Sequence, residues 1–425
     1  MNMREMKDSG IEWVGNIPAT WKSIQIKNLF TILSGATPTP DTDNWDGDVL
    51  WITPADYKTK DKYVSGAKRN ISQQGFNTCS TSMIPKGSII FSKRAPIGTV
   101  AINTEVLCTN QGCLSCVSKA DTCNDYYYYV MSVGTEHFEL LGSGTTFKEI
   151  SANSFSNCKL PCPDKCEQEK IASFLDERCS AFNCLISDIQ SQIEALEEYK
   201  RSVITEAVTK GLDPDVEMRD SGIAWVGDIP AHWITHPLYF YFGERKNKNA
   251  LGLETNLLSL SYGKIIRKDI NSNGGLLPES FNTYNIIEKD DIIIRPTDLQ
   301  NDKRSLRTGI AREHGIITSA YIAMKAIKAV NPEYFHYLLH AYDVMKVFYN
   351  MGNGVRQGLN FSEFSRLMVF EPAIEEQNAI VSYLKEKCDE IDLAIAEKKQ
   401  QIETIEEYKK SLIFEYVTGK KEVQA

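Results

Sequence analysis

Apolar residues recur every seven positions in two stretches of the chain. Leu175, Phe182, Ile189, Leu196 and Val203 form one series, and Leu384, Ile391, Ile405 and Leu412 form the other, with Lys398 at the remaining position of that same register. Ile186, Ile193, Ile395 and Ile402 widen each stripe, and neither Pro nor Gly interrupts 166–210 or 374–418. A heptad stripe filled in with good helix formers predicts one long helix per stretch. Pro161, Pro163 and Pro372 stand just ahead of the stretches, where proline is tolerated, and Gly211 and Gly419 stand at their ends. At about 1.5 Å per residue, some 40 helical residues span roughly 60 Å, the length of a spacer. Two such helices can dimerise the protein as a coiled coil, or fold back antiparallel within one chain. Topology favours the second, because the first helix leads from one block of the chain to the next.

The segments around the helices read as mixed sheet and helix. "KGSIIFSKRAPIGTVAI" from Lys86 predicts strand, polar loop, strand, and "KDDIIIRPTDLQNDKRSLRTGIA" from Lys289 repeats the pattern with a longer, more charged loop. A Thr-led segment follows each, "TNQGCLSCV" from Thr109 and "TSAYIAMKA" from Thr318. Then come a helical stretch and a turn, Gly142-Ser143-Gly144 or Gly352-Asn353-Gly354.

The whole order is written twice. "MKDSGIEWVGNIPATW" at 6–21 shares 12 of 16 residues with "MRDSGIAWVGDIPAHW" at 218–233. "IEALEEYKRSVITEAVTKG" from Ile193 matches "IETIEEYKKSLIFEYVTGK" from Ile402, and Glu167-Gln168 matches Glu376-Gln377. The expected fold is α+β: two mixed α/β domains, joined and spaced by two long antiparallel coiled-coil-like helices, with a pseudo-two-fold internal repeat. The expected boundaries are 1–160, a spacer helix at 161–211, 212–370, and a second spacer helix at 371–425. The repeated Trp-Gly-Ile-Pro-Trp stretch is a rigid apolar clasp that seats a turn against a helix end once per half.

Charge sharpens this division. The chain has 425 residues, 47 basic and 56 acidic. Its helical segments carry net charges of −8 (161–233) and −5 (371–425), whereas the blocks carry +1 (22–160) and +4 (234–370). Acidity therefore belongs to the spacers. Within the blocks, basic residues cluster at Lys58, Lys60 and Lys62, at Lys68-Arg69 and at Lys93-Arg94. Further clusters are Arg245, Lys246 and Lys248, then Lys264, Arg267 and Lys268, then Lys303-Arg304 with Arg307 and Arg312. Any one cluster can be solvated surface, but together they suggest a phosphate-facing surface on each block. Candidate DNA contacts are Lys58, Lys60, Arg69, Lys93, Arg94, Asn110 and Gln111 in the first block. In the second they are Arg245, Lys246, Lys248, Arg295, Asp298, Arg304 and Arg307.

No catalytic motif emerges. Asn331-Pro-Glu-Tyr334 approaches an adenine methyltransferase signature but has Glu333 where the second proline belongs, and reads as a helix start. A phosphate-cradling G-x-x-x-x-G-K-S/T loop is missing. His336 and His340 read as helix decoration rather than zinc ligands, and Cys113 and Cys116 with Cys108 and Cys123 as core thiols rather than a zinc site. The run Tyr126 to Tyr129 must supply core on at least one side. No run of about 18 apolar residues or signal segment is seen, so a cytoplasmic protein is expected, with no membrane partner.

With clasp, block and helix each present twice, the chain resembles the specificity subunits of type I restriction-modification systems. "SGIEWVGNIPATW", "GSGTTFKEIS" from Gly142, "EQEKIASFLDER" from Glu167, the "EEYK" repeats at Glu197 and Glu406, "IIIRPTDLQND" from Ile292 and "GIITSAYI" from Gly315 carry the likeness. Lys165 and Cys166 depart from it, since apolar residues are usual there. The resemblance implies a non-catalytic subunit with two target recognition domains, each reading one half of an asymmetric bipartite site on double-stranded DNA. It implies helices that fix the gap, two docked methyltransferase subunits, and motor/nuclease subunits. No cofactor is expected on this chain; S-adenosylmethionine, ATP and Mg belong to the partner subunits. The alternative is a coiled-coil scaffold whose blocks bind proteins.

Overall fold

The computed structural model describes residues 4–57, 61–144, 148–223, 225–270, 278, 280–297, 306–347, 351 and 358–423. The chain divides into two compact units, residues 1–189 with 400–425, and residues 190–399.

In the first unit the core strands are β1 (Phe30–Ser34), β2 (Ile89–Ser92), β3 (Val100–Asn103) and β4 (Cys113–Ser118). They lie in the order β1-β4-β2-β3, antiparallel throughout, and Tyr63–Val64 adds a parallel edge beside β3. The run Ile89-Ile90-Phe91 is apolar without alternation because both faces of β2 are covered. Ile89 and Phe91 enter the main core, and Ile90 faces a smaller cluster with Ala101 and Cys113. Helix α1 (Asn124–Val133) covers the main face. All four tyrosines of the run 126–129 are buried, so this helix is apolar all round, as one enclosed on every side must be.

The second unit repeats the frame. Strands β5 (Phe242–Glu244), β6 (Ile292–Ile294), β7 (Thr308–Ile310) and β8 (Ile322–Ala326) lie in the order β5-β8-β6-β7. Ile292 and Ile294 join the main core while Ile293 faces the opposite cluster.

The long helices are α2 (Lys165–Lys210) and α4 (Ile374–Val417), with the shorter α3 (Pro332–Val344) between them. In the first unit α2 and α4 pair antiparallel, with Phe174 on Tyr416 (ring centroids 4.5 Å) and Phe182 edge-on to Tyr408 (5.6 Å). In the second unit Lys200 Nζ donates to Asp392 at 2.7 Å and Lys398 Nζ to Gln192 Oε1 at 2.5 Å. Leu175, Ile189, Val203, Leu384, Ile391 and Leu412 are buried, whereas Phe182, Leu196 and Ile405 are half-buried. The stripes are thus used within the chain.

The duplicated clasp is a hairpin, Met6–Asp8 with Asn16–Pro18 and Met218–Asp220 with Asp228–Pro230. The clasps act as matching joints. Trp21 and Trp233 are buried, and their indole N–H groups donate to Glu167 Oε2 at 2.8 Å and Glu376 Oε1 at 3.0 Å. The neighbouring glutamines do a second job. Gln168 Nε2 donates to Pro163 O (3.0 Å) while its Oε1 accepts from Cys123 N (2.9 Å); Gln377 Nε2 donates to Pro372 O (2.9 Å) while its Oε1 accepts from Asn331 N (2.8 Å). Each glutamine ties a long-helix start to the cap of α1 or α3.

Helix C-termini leave carbonyls without intrahelical partners. Tyr126 Oη donates to Val417 O at 2.9 Å at one such end, and Tyr334 Oη to Val208 O at 3.4 Å at the other. Gly419 and Gly211 follow with φ of +69° and +77°. A Cβ on Gly419 would stand 2.4 Å from Pro18, so this helix end needs glycine twice over, for conformation and for room.

Candidate nucleic-acid interface

Strand register gathers three loops at one end of the first unit's sheet. Ser34, at the end of β1, pairs with Leu114, and Cys113, at the start of β4, pairs with Ser92, at the end of β2. The segments after Ser34, after Ser92 and before Cys113 therefore share an edge. Gly35 makes this closeness possible, since a Cβ there would sit 2.2 Å from the carbonyl oxygens of Thr109 and Asn110.

Lys93, Arg94, Asn110 and Gln111 all stand at this edge. Asn110 Oδ1 accepts from Gly112 N at 2.9 Å and so shapes the turn, Gln111 is exposed and bonded to Thr37, and Lys93 N donates to Gly112 O at 2.9 Å. Lys93 Nζ and Arg94 Nε both donate to Glu149, at 2.7 Å and 2.8 Å. Lys93 hydrogen bonding, with Arg94 beside it, holds the Glu149 carboxyl below its usual range. Glu149 is the residue that sequence reasoning missed. Its only signal was its place in the Gly142 segment.

Arg69 stands apart, on a second sheet of Trp45–Ile52, Asn70–Ile71 and Cys108–Thr109. Its guanidinium lies 3.9 Å from the centre of the Trp45 ring. Lys62, from the neighbouring cluster with Lys58 and Lys60, turns inward to Asp125 (2.6 Å) and Asp176. Lys58 and Lys60 lie outside the described residues.

The second unit presents its equivalent edge with different chemistry. Lys246 and Lys248 follow β5; Lys246 pairs with Glu244 at 2.8 Å and Lys248 Nζ donates to Thr283 O at 3.0 Å. Arg245 is pinned by Asp291, with its Nη2 3.0 Å from Oδ1. Arg295 is half-buried, and its N–H donates to Arg307 O at 2.8 Å. Arg307 departs from the expected surface contact. It is 0 % exposed, and its Nη1 donates to Thr297 O at 2.5 Å. Its own backbone N–H donates to Asp343 Oδ2 at 2.5 Å. The carbonyls of Arg295 and Thr297, just after β6, need donors, and Arg307 Nη1 serves both. Asp298 and Arg304 lie outside the described residues, as does the turn at 352–354.

The other sequence features resolve into fold. Asn331 caps α3 by accepting from Glu333 N at 3.0 Å, with Pro332 in the first turn, so the Asn-Pro-Glu-Tyr stretch is a helix cap. Burial pushes His336 down to about 3 and His340 down to about 4, so both rings are neutral near pH 7. Cys108, Cys113 and Cys116 are buried, and burial raises the first two thiols to about 12. Among the described residues no three His, Cys, Asp or Glu side chains gather as a metal site requires, and no helix is long and apolar enough to cross a membrane.

Residues 18–195 match the family model described as type I restriction modification DNA specificity domain. The type I restriction enzyme MjaIX specificity subunit of Methanocaldococcus jannaschii is 36 % identical over 189 residues. That alignment covers 44 % of this chain and 43 % of the relative, less than half the length of either. The putative type I restriction enzyme MjaX specificity subunit of the same organism is 24 % identical over 96 % of this chain and 95 % of its own length. A chain solved in work on complex assembly and conformational transition of the type I R-M system superposes with a TM-score of 0.69. It covers 94 % of this chain and 98 % of its own at 12 % identity, a likeness of fold.

Proposed function

We propose that the chain, which is similar to the specificity subunits of type I restriction-modification systems, is the non-catalytic DNA reader of such a complex. Each unit reads one half of an asymmetric bipartite site through the loops at its sheet edge. The long helices fix the gap and dock two methyltransferase subunits, and motor/nuclease subunits join for restriction. S-adenosylmethionine, ATP and Mg act on those partners. The observation that carries the reading is a frame built twice with matching joints that presents unlike basic loops at equivalent edges. Loops on a rigid scaffold are where recognition residues concentrate. A 46-residue helix is about 69 Å long, ample to span half-sites about 34 Å apart.

The test is to co-express the chain with the methyltransferase subunit encoded with it and map N6-methyladenine by single-molecule sequencing. One asymmetric bipartite motif is expected, and a stable complex that writes none sinks the reading. Exchanging 22–160 for another such block should change one half-site alone. Inserting a helical repeat between Ile186 and Val203 should alter the gap and leave both halves intact. A protein-binding scaffold is the second reading. The observation favouring it is that Lys93, Arg94 and Arg245 already sit in internal ion pairs. Binding that falls steeply with salt selects DNA, because neutralised phosphates release counterions.

A further inference from the structure

Glu149 is anchored from both sides at the first unit's sheet edge. Its N–H donates to Ser143 O and its carbonyl accepts from Ser143 N, both at 3.0 Å. The next residue's N–H, from Ile150, donates to Lys93 O at 3.0 Å. The backbone thus fixes where the carboxylate stands, and the carboxylate in turn takes Lys93 on one oxygen and Arg94 on the other. Arg94 is 44 % exposed and faces solvent while Lys93, 14 % exposed, is largely covered beside it, so this carboxylate restrains one solvent-facing cation and the half-buried one behind it.

An anion here is costly on a surface meant for DNA, because it repels the phosphates that Lys and Arg attract. Discrimination is what such an anion provides. A free Lys-Arg pair binds any phosphate backbone with no regard to sequence. A pair held by a carboxylate exchanges only where the DNA offers acceptors good enough to replace it, such as a guanine edge for Arg. Specificity built on a repulsive element is a difference of affinities, gained at the expense of the wrong partner more than the right one.

Resting on the function proposed above, we infer that Glu149 is a specificity-determining positioning residue: it restrains Lys93 and Arg94 so that the first unit rejects non-cognate DNA. The experiment compares wild type, Glu149→Gln and Glu149→Asp as complexes with the methyltransferase subunit. It reads methylated motifs, and binding to random-sequence duplex from 50 to 200 mM salt. Glu149→Gln is expected to bind random duplex more tightly at low salt, with a log-log salt slope steeper by about one. It should relax the half-site read by the first unit and leave the other half-site sharp, while Glu149→Asp restores both properties. An unchanged slope with an unchanged motif overturns the inference, and so does equal relaxation of both half-sites, the mark of a general loss of structure. Should Glu149→Gln fail to assemble, Arg94→Gln tests the pair from the other side: a slope shallower by about one and a weakened first half-site are expected, and no change overturns it. If the wild-type complex writes no bipartite motif, the function itself falls. If it writes one and Glu149→Gln matches it, only the present inference does.

Discussion

The joints of the two units can be laid over one another residue for residue, and their sheet edges cannot. Trp21 with Glu167, Gln168, Tyr126 and Gly419 does in the first unit what Trp233 with Glu376, Gln377, Tyr334 and Gly211 does in the second. At the loop after the second core strand the resemblance stops. The first unit puts Lys93 and Arg94 on a surface carboxylate, whereas the second buries Arg307 as a brace against Thr297 O and Asp343. Duplication has preserved the mechanical part, whose donors and acceptors pair inside each unit, and released the loops at the sheet edge.

The largest effects should come from the shared part, and they should be equal. Trp21→Ala and Trp233→Ala each remove a side chain 1 % exposed and leave a glutamate without its indole donor. Each is predicted to cost about 3–5 kcal/mol, read by denaturant unfolding with fluorescence from the remaining tryptophans. A cost in one unit less than half that in the other would break the equivalence of the joints.

Titration should separate the units, with opposite signs. Burial raises Asp343 from 3.8 to about 6, against the opposing effects of Arg307, Lys346 and Arg295. The folded chain therefore holds this proton more tightly than the unfolded chain. The stabilisation is fully present below about 3.8 and is lost as pH rises through about 6, a span worth up to about 3 kcal/mol. Glu149 runs the other way. Its lowered carboxyl gives stability present above the ordinary 4.5 and lost as pH falls below it. Hydrogen exchange on acidification from pH 6 to 4 should show the β5–β8 sheet gaining protection relative to an Asp343→Asn variant. The loop at Glu149 should begin to lose protection only at the acid end. A second unit whose exchange matches that of Asp343→Asn throughout would sink the assignment to Asp343.

What the sequence revealed and concealed follows the same line. The long helices were legible because a heptad stripe needs only local periodicity, and the clasps because they are written twice. The four-tyrosine run announced core but not that all four rings enter it, since a helix enclosed on every side depends on neighbours the local pattern does not name. Charge density marked Lys93, Arg94 and Arg307 alike. It could not tell them apart, because Glu149 is 55 residues from Arg94 and Asp343 is 36 from Arg307. Lys62 likewise read as surface, yet its ammonium reaches Asp176, 114 residues away. Positive charge is a property of composition; whether it is spent inward is a property of the tertiary fold.

Arg69 carries the smallest expected effect and the finest distinction. It lies 3.9 Å from the Trp45 ring centre, its side chain 53 % exposed, with Asp46 at 3.7 Å as a weak ionic partner. In the second unit an exposed aromatic, Phe240, carries Lys328 at 4.9 Å. A flat guanidinium stacks on a ring as an ammonium does not, so the first unit's pair is the tighter of the two. Removing the stack with Arg69→Ala should cost about 0.5–1 kcal/mol, as at other exposed cation-π sites, measured as a small shift in the thermal transition. Arg69→Lys keeps the charge and gives up the stack. If Arg69 neutralises a phosphate, the alanine variant lowers the salt slope of DNA binding by about one and the lysine variant keeps it. If both variants keep the slope, Arg69 belongs to the fold alongside Arg307, and the first unit's reading surface narrows to the edge held by Glu149.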